Sequence, residues 1–257
     1  MVWRATVHSA IGTRHVQRGL PCQDFGSYLI RDSSIIGAVA DGAGSAQHSD
    51  IGAQLAVKTV LGSLEQWLSG QLSLEPPVTE AQMQPVFAEA LQAAIAILQQ
   101  EAEAGGYELR ELGCTLLTFI ATPNWIAAMQ IGDGFIVVKA AETEPYQLLF
   151  EPEKGEYINE TLFITSAPAL ESMQVAVKVG EQPLVCAATD GLEKVAIRFQ
   201  DWQPHPPFFA PFLSCLETLD DPAERQVYLE TFLNSDRLNA KTDDDKTLLM
   251  CLCEQIP

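Results

Sequence analysis

Short apolar runs bounded by turn residues dominate the chain. They lie at about 3–8, 26–31, 34–40, 114–121, 124–131, 134–139, 146–150, 173–179, 183–189 and 246–253, and their lengths and boundaries predict β-strands. Thr122-Pro123-Asn124 separates two of these runs, and Gly132-Asp133-Gly134 separates the next two. Such close joins predict two hairpins and antiparallel pairing. Helical spacing is confined to fewer, longer windows. Val57, Val60, Leu61, Leu64, Trp67 and Leu68 share one face over 48–68, and Phe87, Ala90, Leu91, Ala94, Ile97 and Leu98 do so over 83–104. Asp221-Pro222 with Glu224 reads as a capped helix start running to about Leu233, and 207–219 predicts a shorter helix before it.

The order is strands, two long helices, many strands, two helices and a last strand. It lacks the strict alternation of a parallel doubly wound sheet. It predicts an α+β fold with an antiparallel sheet core covered by helix pairs. Residues 141–182 are poorer in periodicity and read as a flap-like insertion between core strands. No linker divides the chain, so 1–257 is expected to be a single domain.

Composition narrows the partners. Apolar residues make up 47% of the 257 positions, enough for a sizeable core. The net charge of −19 argues against a phosphate backbone as partner, so no nucleic acid is expected. The same acids serve solubility, or some of them gather into a cation site. No run is long and apolar enough for a membrane span, and the N-terminus lacks the pattern of a signal peptide. The six cysteines lie in apolar runs, at neither metal-ligand nor disulfide spacing, which suggests reduced thiols in a cytoplasmic protein.

Aspartates recur at strand boundaries. Asp41 ends the apolar run Ile35–Ala40 and is followed by Gly42-Ala43-Gly44-Ser45. Asp24 precedes the run at 26–31, Asp133 lies between two glycines, Asp190 follows Leu184–Thr189 and precedes Gly191, and Asp243, Asp244 and Asp245 lead into the final run. Each alone is also an ordinary turn, and Asp243–Asp245 alone is also a solvated loop. Their recurrence beside glycine favours a shared site, because clustered carboxylates repel unless a cation neutralises them. Oxygen-only ligands suit Mg²⁺ or Mn²⁺. The Gly42-Ala43-Gly44 stretch lacks the third glycine of a dinucleotide loop and the Gly-Lys-Ser/Thr of a P-loop, and Ser45 is not in a nucleophile elbow.

Val39-Ala40-Asp41-Gly42-Ala43-Gly44-Ser45 resembles the V-x-D-G-x-G motif of the metal-dependent protein phosphatases, the PPM or type 2C family. Gln23-Asp24, Gly113-Cys114-Thr115, Ile131-Gly132-Asp133, Thr189-Asp190-Gly191-Leu192 and Asp244-Asp245-Lys246-Thr247 resemble the family's other motifs in order, over about 9–253. GTRHVQRGLPCQD, DGAGSA, GEYINET and DDKT are most similar to a bacterial branch. The resemblance implies a β-sandwich of two antiparallel sheets with helix pairs outside. It implies an Mn²⁺/Mg²⁺-dependent phosphomonoester hydrolase that removes phosphate from phosphoserine and phosphothreonine in proteins, opposed by a Ser/Thr kinase. Asp41 would bridge two ions, the Gly42 carbonyl would bind one, Asp190 and Asp244 would complete the other site, and Asp24 would hold bound water. Asp133 matches the acid of a third, weaker ion. Water activated between the ions would attack phosphorus in line.

Two positions depart from the pattern. Gln23 stands where many members carry glutamate, and Ala43 where many carry a histidine proposed as leaving-group acid; a metal-bound water is one substitute donor, and His48 is another if the helix start brings it near. The phosphate-binding arginine is expected to be Arg18, with Arg14 the other candidate. Gln23 and Ala43 motivate an alternative, a pseudophosphatase or regulatory module that binds phosphoprotein without turnover. A phosphatase for a small metabolite is a third possibility. In GEYINET, Glu156, Tyr157, Asn159 and Thr161 either shape the site's rim or form a structural turn.

Overall fold

A computed structural model describes residues 1–70, 78–141, 143–150 and 161–254. In chain order the elements are β1 (Val2–Ala10), α1 (Thr13–Arg18), β2 (Phe25–Arg31), β3 (Ser34–Ala40), α2 (Ser49–Ser69), α3 (Glu80–Gly105), β4 (Leu116–Ala121), β5 (Trp125–Ile131) and β6 (Phe135–Lys139). They continue with β7 (Gln147–Leu148), β8 (Gln174–Val179), β9 (Leu184–Ala188), α4 (Glu193–Ala196), β10 (Ile197–Arg198), β11 (Gln203–Pro204), α5 (Pro206–Thr218), α6 (Pro222–Leu233), α7 (Asp236–Asn239) and β12 (Lys246–Glu254). Every predicted apolar run meets a strand. The short β10–β11 ribbon and α1 carry no periodic apolar face and were not expected.

Two five-stranded sheets form, in the orders β1-β12-β9-β6-β7 and β2-β3-β4-β5-β8, and every pairing is antiparallel. Alternation along the strands builds the layers. In β3 and β4, Ile36, Ala38, Ala40, Leu116 and Ile120 face α2 and α3, where Val57, Val60, Leu64, Phe87 and Leu91 pack against them. Ile35, Val39, Leu117 and Phe119 point the other way, against Val185, Ala187, Leu249 and Cys251 of the second sheet. That sheet's outer face, with Cys186, Ala188, Leu248 and Met250, is covered by Phe209, Phe212, Leu229 and Leu233 of α5 and α6. The result is four layers, helix, sheet, sheet, helix. It explains why β3 reads as an unbroken apolar run, since both of its faces are buried.

One local expectation changes. Thr122-Pro123-Asn124 closes a hairpin between β4 and β5, but Gly132-Asp133-Gly134 does not, because β5 and β6 lie in different sheets. Gly132 has φ +101, and a Cβ there would meet Thr115 Cγ2 at 2.4 Å; one on Gly134 would meet the Ala188 carbonyl at 2.6 Å. The two glycines allow a tight corner that carries the chain from sheet to sheet. At α2 His48 holds the N-cap position without a side-chain bond, and Ser49 is buried inside the first turn. Side-chain caps are present at some of the other starts. Asp221 accepts from the Ala223 amide, and Thr79 with Gln82 forms a capping box ahead of α3. All six cysteines are unpaired, and no helix among the described residues is long and apolar enough to cross a membrane.

Candidate metal centre

Asp41 follows the last residue of β3, and its backbone stays locked to β4's approach. Its amide donates to Thr115 Oγ1 at 2.9 Å, and its carbonyl accepts from the Thr115 amide at 2.8 Å. The Gly42 amide donates to the Gln23 carbonyl and the Ala43 amide to the Gly113 carbonyl. A Cβ on Gly42 would lie 2.7 Å from the Gln23 carbonyl oxygen, so glycine permits this close approach. Asp133 arrives on the corner between the sheets, and Thr161, the one described residue of GEYINET, donates to its Oδ2 at 2.6 Å. Glu156, Tyr157 and Asn159 lie outside the described residues. Asp190 arrives at the end of β9.

Carboxylate oxygens of Asp41, Asp133 and Asp190 all lie within 4.8 Å of one another. Asp24 joins them from the loop before β2. It is buried, its Oδ2 accepts from Thr189 Oγ1 at 2.6 Å, and its Oδ1 is buried with no partner. Asp244 stands on the flank of Asp190, close enough for its charge to push the Asp190 carboxyl up. It is not one of the three closest acids, and its Oδ1 accepts from Arg14 Nη2 at 2.8 Å.

Burial and like charge act together here. Burial, with added charge from Asp24, Asp190 and Asp133, holds the Asp41 carboxyl well above the usual range. Burial raises Asp24 to about 7, against the hydrogen bond from Thr189. Asp190 rises to about 6 through burial and then the charges of Asp133 and Asp244. The donor set is all oxygen, negative and crowded, with one buried carboxylate oxygen unpartnered. It fits a hard divalent cation.

The other expected residues divide. Arg18 ends α1, exposed and without a hydrogen bond or ion pair among the described residues. Arg14 is the arginine brought to the cluster: besides its Asp244 contact, Nη2 would lie 3.9 Å from a Cβ on Gly44. Of the two arginines, Arg14 is the one that contacts an acid beside the cluster. Gln23 is buried, donates from Nε2 to the Ala46 carbonyl and leaves Oε1 unpartnered. His48 stacks on Tyr107 with centroids 4.2 Å apart. Sequence reasoning missed Glu193, which burial and the charges of Asp190 and Asp133 raise to about 7. Its signal was its place one helical turn after Asp190. It also missed the role of Thr189, whose hydroxyl serves Asp24.

Acids from the ends of strands in both sheets, converging at one edge of a four-layer sandwich, define the architecture of the metal-dependent protein phosphatases. The family profile described as "Protein phosphatase 2C" matches residues 11–234. The chain belongs to that family. It is 36% identical over 263 residues to "Serine/threonine-protein phosphatase 3" of Escherichia coli (strain K12), covering 98% of this chain and 99% of that one. Among solved structures, a bacterial serine phosphatase superposes with TM-score 0.65 at 12% identity, covering 100% of both chains. The "S. agalactiae serine/threonine phosphatase" gives 0.63 at 14% identity, covering 98% of this chain and 100% of that one. RsbX in complex with magnesium gives 0.56 at 15% identity, covering 98% and 96%.

Proposed function

We propose that the chain is an Mn²⁺- or Mg²⁺-dependent phosphatase acting on phosphoserine and phosphothreonine in proteins, opposed by a Ser/Thr kinase. The observation that carries the reading is the meeting of Asp41, Asp133 and Asp190 within 4.8 Å from distant points of the chain. The full-length likeness to a serine/threonine-protein phosphatase supports the substrate class. Residues 1–257 act as one catalytic unit, since β1 and β12 pair and the acids come from both sheets. The unpaired cysteines support a reducing cytoplasm as the working compartment.

Two cations would be held by Asp41, the Gly42 carbonyl, Asp190 and Asp244, with Asp133 serving a third, weaker one. When bound, such ions neutralise charge on phosphoryl oxygens and make water a better nucleophile near neutral pH. The protein's own groups supply the rest. Asp24, anchored by Thr189, orients the attacking water by accepting its proton in a hydrogen bond. Arg14 turns its guanidinium to the phosphate of the substrate, where planar paired donors match phosphate oxygens. Gln23 contributes a neutral amide, so it holds its neighbours without adding charge.

Phosphate release from a phosphothreonine peptide, titrated with Mn²⁺, tests this. Saturable release is expected, and Asp190→Asn is expected to lower kcat at least about 100-fold. Peptide binding without any release would favour the binding-protein reading instead. Arg14→Ala should raise KM about tenfold or more, the loss of ~1.4 kcal/mol or more, while Arg18→Ala should leave it within about twofold. The reverse order would return the phosphate role to Arg18.

A further inference from the structure

Asp245 is not one of the close acids, yet it touches the chain beside most of them. Its side chain is buried and accepts three hydrogen bonds. Oδ1 accepts from the Gly12 amide at 2.6 Å; Oδ2 accepts from the Gln23 amide at 2.5 Å and from His15 Nδ1 at 2.8 Å. Gln23 immediately precedes Asp24, and its carbonyl takes the Gly42 amide next to Asp41. The Asp245 amide donates to Asp244 Oδ1 at 3.1 Å. A Cβ on Gly191 would lie 1.9 Å from the Asp245 carbonyl oxygen, so the backbone after Asp190 rests directly on this residue. A Cβ on Gly12 would lie 2.3 Å from the Asp244 carbonyl carbon, and the Arg14 amide donates to the Asp243 carbonyl. The 12–24 loop is thus zipped to the start of β12 with no room to slide.

We infer that Asp245 is a positioning residue, which holds Asp24, Arg14, Asp190 and Asp244 in mutual register through one buried carboxylate and its own backbone. The carboxylate matters because all three of its side-chain partners are donors. An amide in its place would turn an N–H₂ group toward at least one of them. His15 belongs to the same device. Its ring is buried, and Nε2 has no partner, so Nδ1 to Asp245 is its polar tie. A buried polar ring with one bond is retained for that bond. The inference rests on the proposed phosphatase reading for its consequence in turnover, but not for its consequence in metal binding.

The test measures Mn²⁺ affinity by calorimetry, together with kcat and KM for the phosphothreonine peptide, in Asp245→Asn, His15→Leu and His15→Asn. Thermal melts select the temperature at which each is folded. Asp245→Asn is expected to weaken Mn²⁺ binding and lower kcat about 10- to 100-fold, the range for partners that orient metal ligands. His15→Leu is expected to show a smaller loss, and His15→Asn, which keeps a donor near Nδ1, to recover most of it. A folded Asp245→Asn with affinity and kcat within about twofold of the natural chain overturns the inference. Should Asp245→Asn not fold, the His15 pair decides: equal Mn²⁺ affinity in His15→Leu and His15→Asn overturns it. A natural chain that binds Mn²⁺ without releasing phosphate overturns the phosphatase reading alone, and calorimetry still judges Asp245. A natural chain that does neither overturns both.

Discussion

Thr189 shows how a neutral hydroxyl serves an acid. Its Oγ1 donates to Asp24 Oδ2 and accepts from the buried Thr247 amide at 2.9 Å. Thr189→Val keeps the shape and removes both bonds. The Thr247 N–H would be left buried and unpaired, so a loss of about 1–3 kcal/mol is expected in urea unfolding. Asp24 would lose a bond that favours its ionised form and rise further above its value of about 7. If Asp24 acts as an acceptor, the acid limb of the pH–rate profile should move to higher pH. An unmoved limb would separate Asp24 from the chemistry.

At the scale of elements, α2 offers a matched pair of glycines. A Cβ on Gly52 would lie 2.1 Å from the Leu112 carbonyl oxygen, a backbone atom of the 3-10 turn Leu109–Leu112. A Cβ on Gly62 would meet nothing within 4 Å. Gly62→Ala should stabilise the protein by about 0.5–1 kcal/mol, the helix preference for alanine. Gly52→Ala gains the same preference but must push α2 off the backbone that braces the Ala43–His48 loop. A net loss of about 1–3 kcal/mol is expected, with weaker Mn²⁺ binding, both readable by thermal melts with and without metal. The helices and strands were legible because the layers impose period and length on them. The corner at 132–134 was not, because periodicity does not say which sheet the next strand joins. The site was legible at Asp24, Asp41, Asp133 and Asp190, whose strand-end placement is local. The contact of Arg14 with Asp244 and those of Asp245 with Gly12, His15 and Gln23 join residues from opposite ends of the chain, and no local pattern encodes those.

The molecule as a whole carries a net charge of −19 and concentrates several acids where burial discourages ionisation. Asp24, Asp41, Asp190 and Glu193 are all raised, with Asp24 and Glu193 at about 7 and Asp190 at about 6. Raised carboxyls favour the folded state while protonated. Their contribution is fully present below the ordinary carboxylate range near 4 and is lost as pH rises through about 6 to 7. In chelator, the melting temperature is therefore expected to fall between pH 5 and pH 8 by at least about 2–4 °C, which corresponds to ~1 kcal/mol in a protein of this size. Mn²⁺ should reverse the fall most strongly at the alkaline end, since it binds the ionised form. A melting temperature that is flat with pH in chelator would mean that burial does not hold these acids protonated in the folded chain.

The corner at Gly132-Asp133-Gly134 has a mechanical meaning. Asp41 extends from one sheet, Asp190 from the other, and Asp133 sits on the step between them. The sandwich therefore behaves as a pair of calipers whose jaws are oxygen atoms. The gap between the jaws is fixed by what fills the body of the instrument. There the Phe119 ring and a Leu249 methyl approach so closely that a Cβ on Gly37 would meet them at 2.4 and 2.6 Å. A greasy ring with no polar atom thus helps to set the spacing between the two sheets from which the acids extend. Trimming Phe119 would reset the calipers without touching a single oxygen.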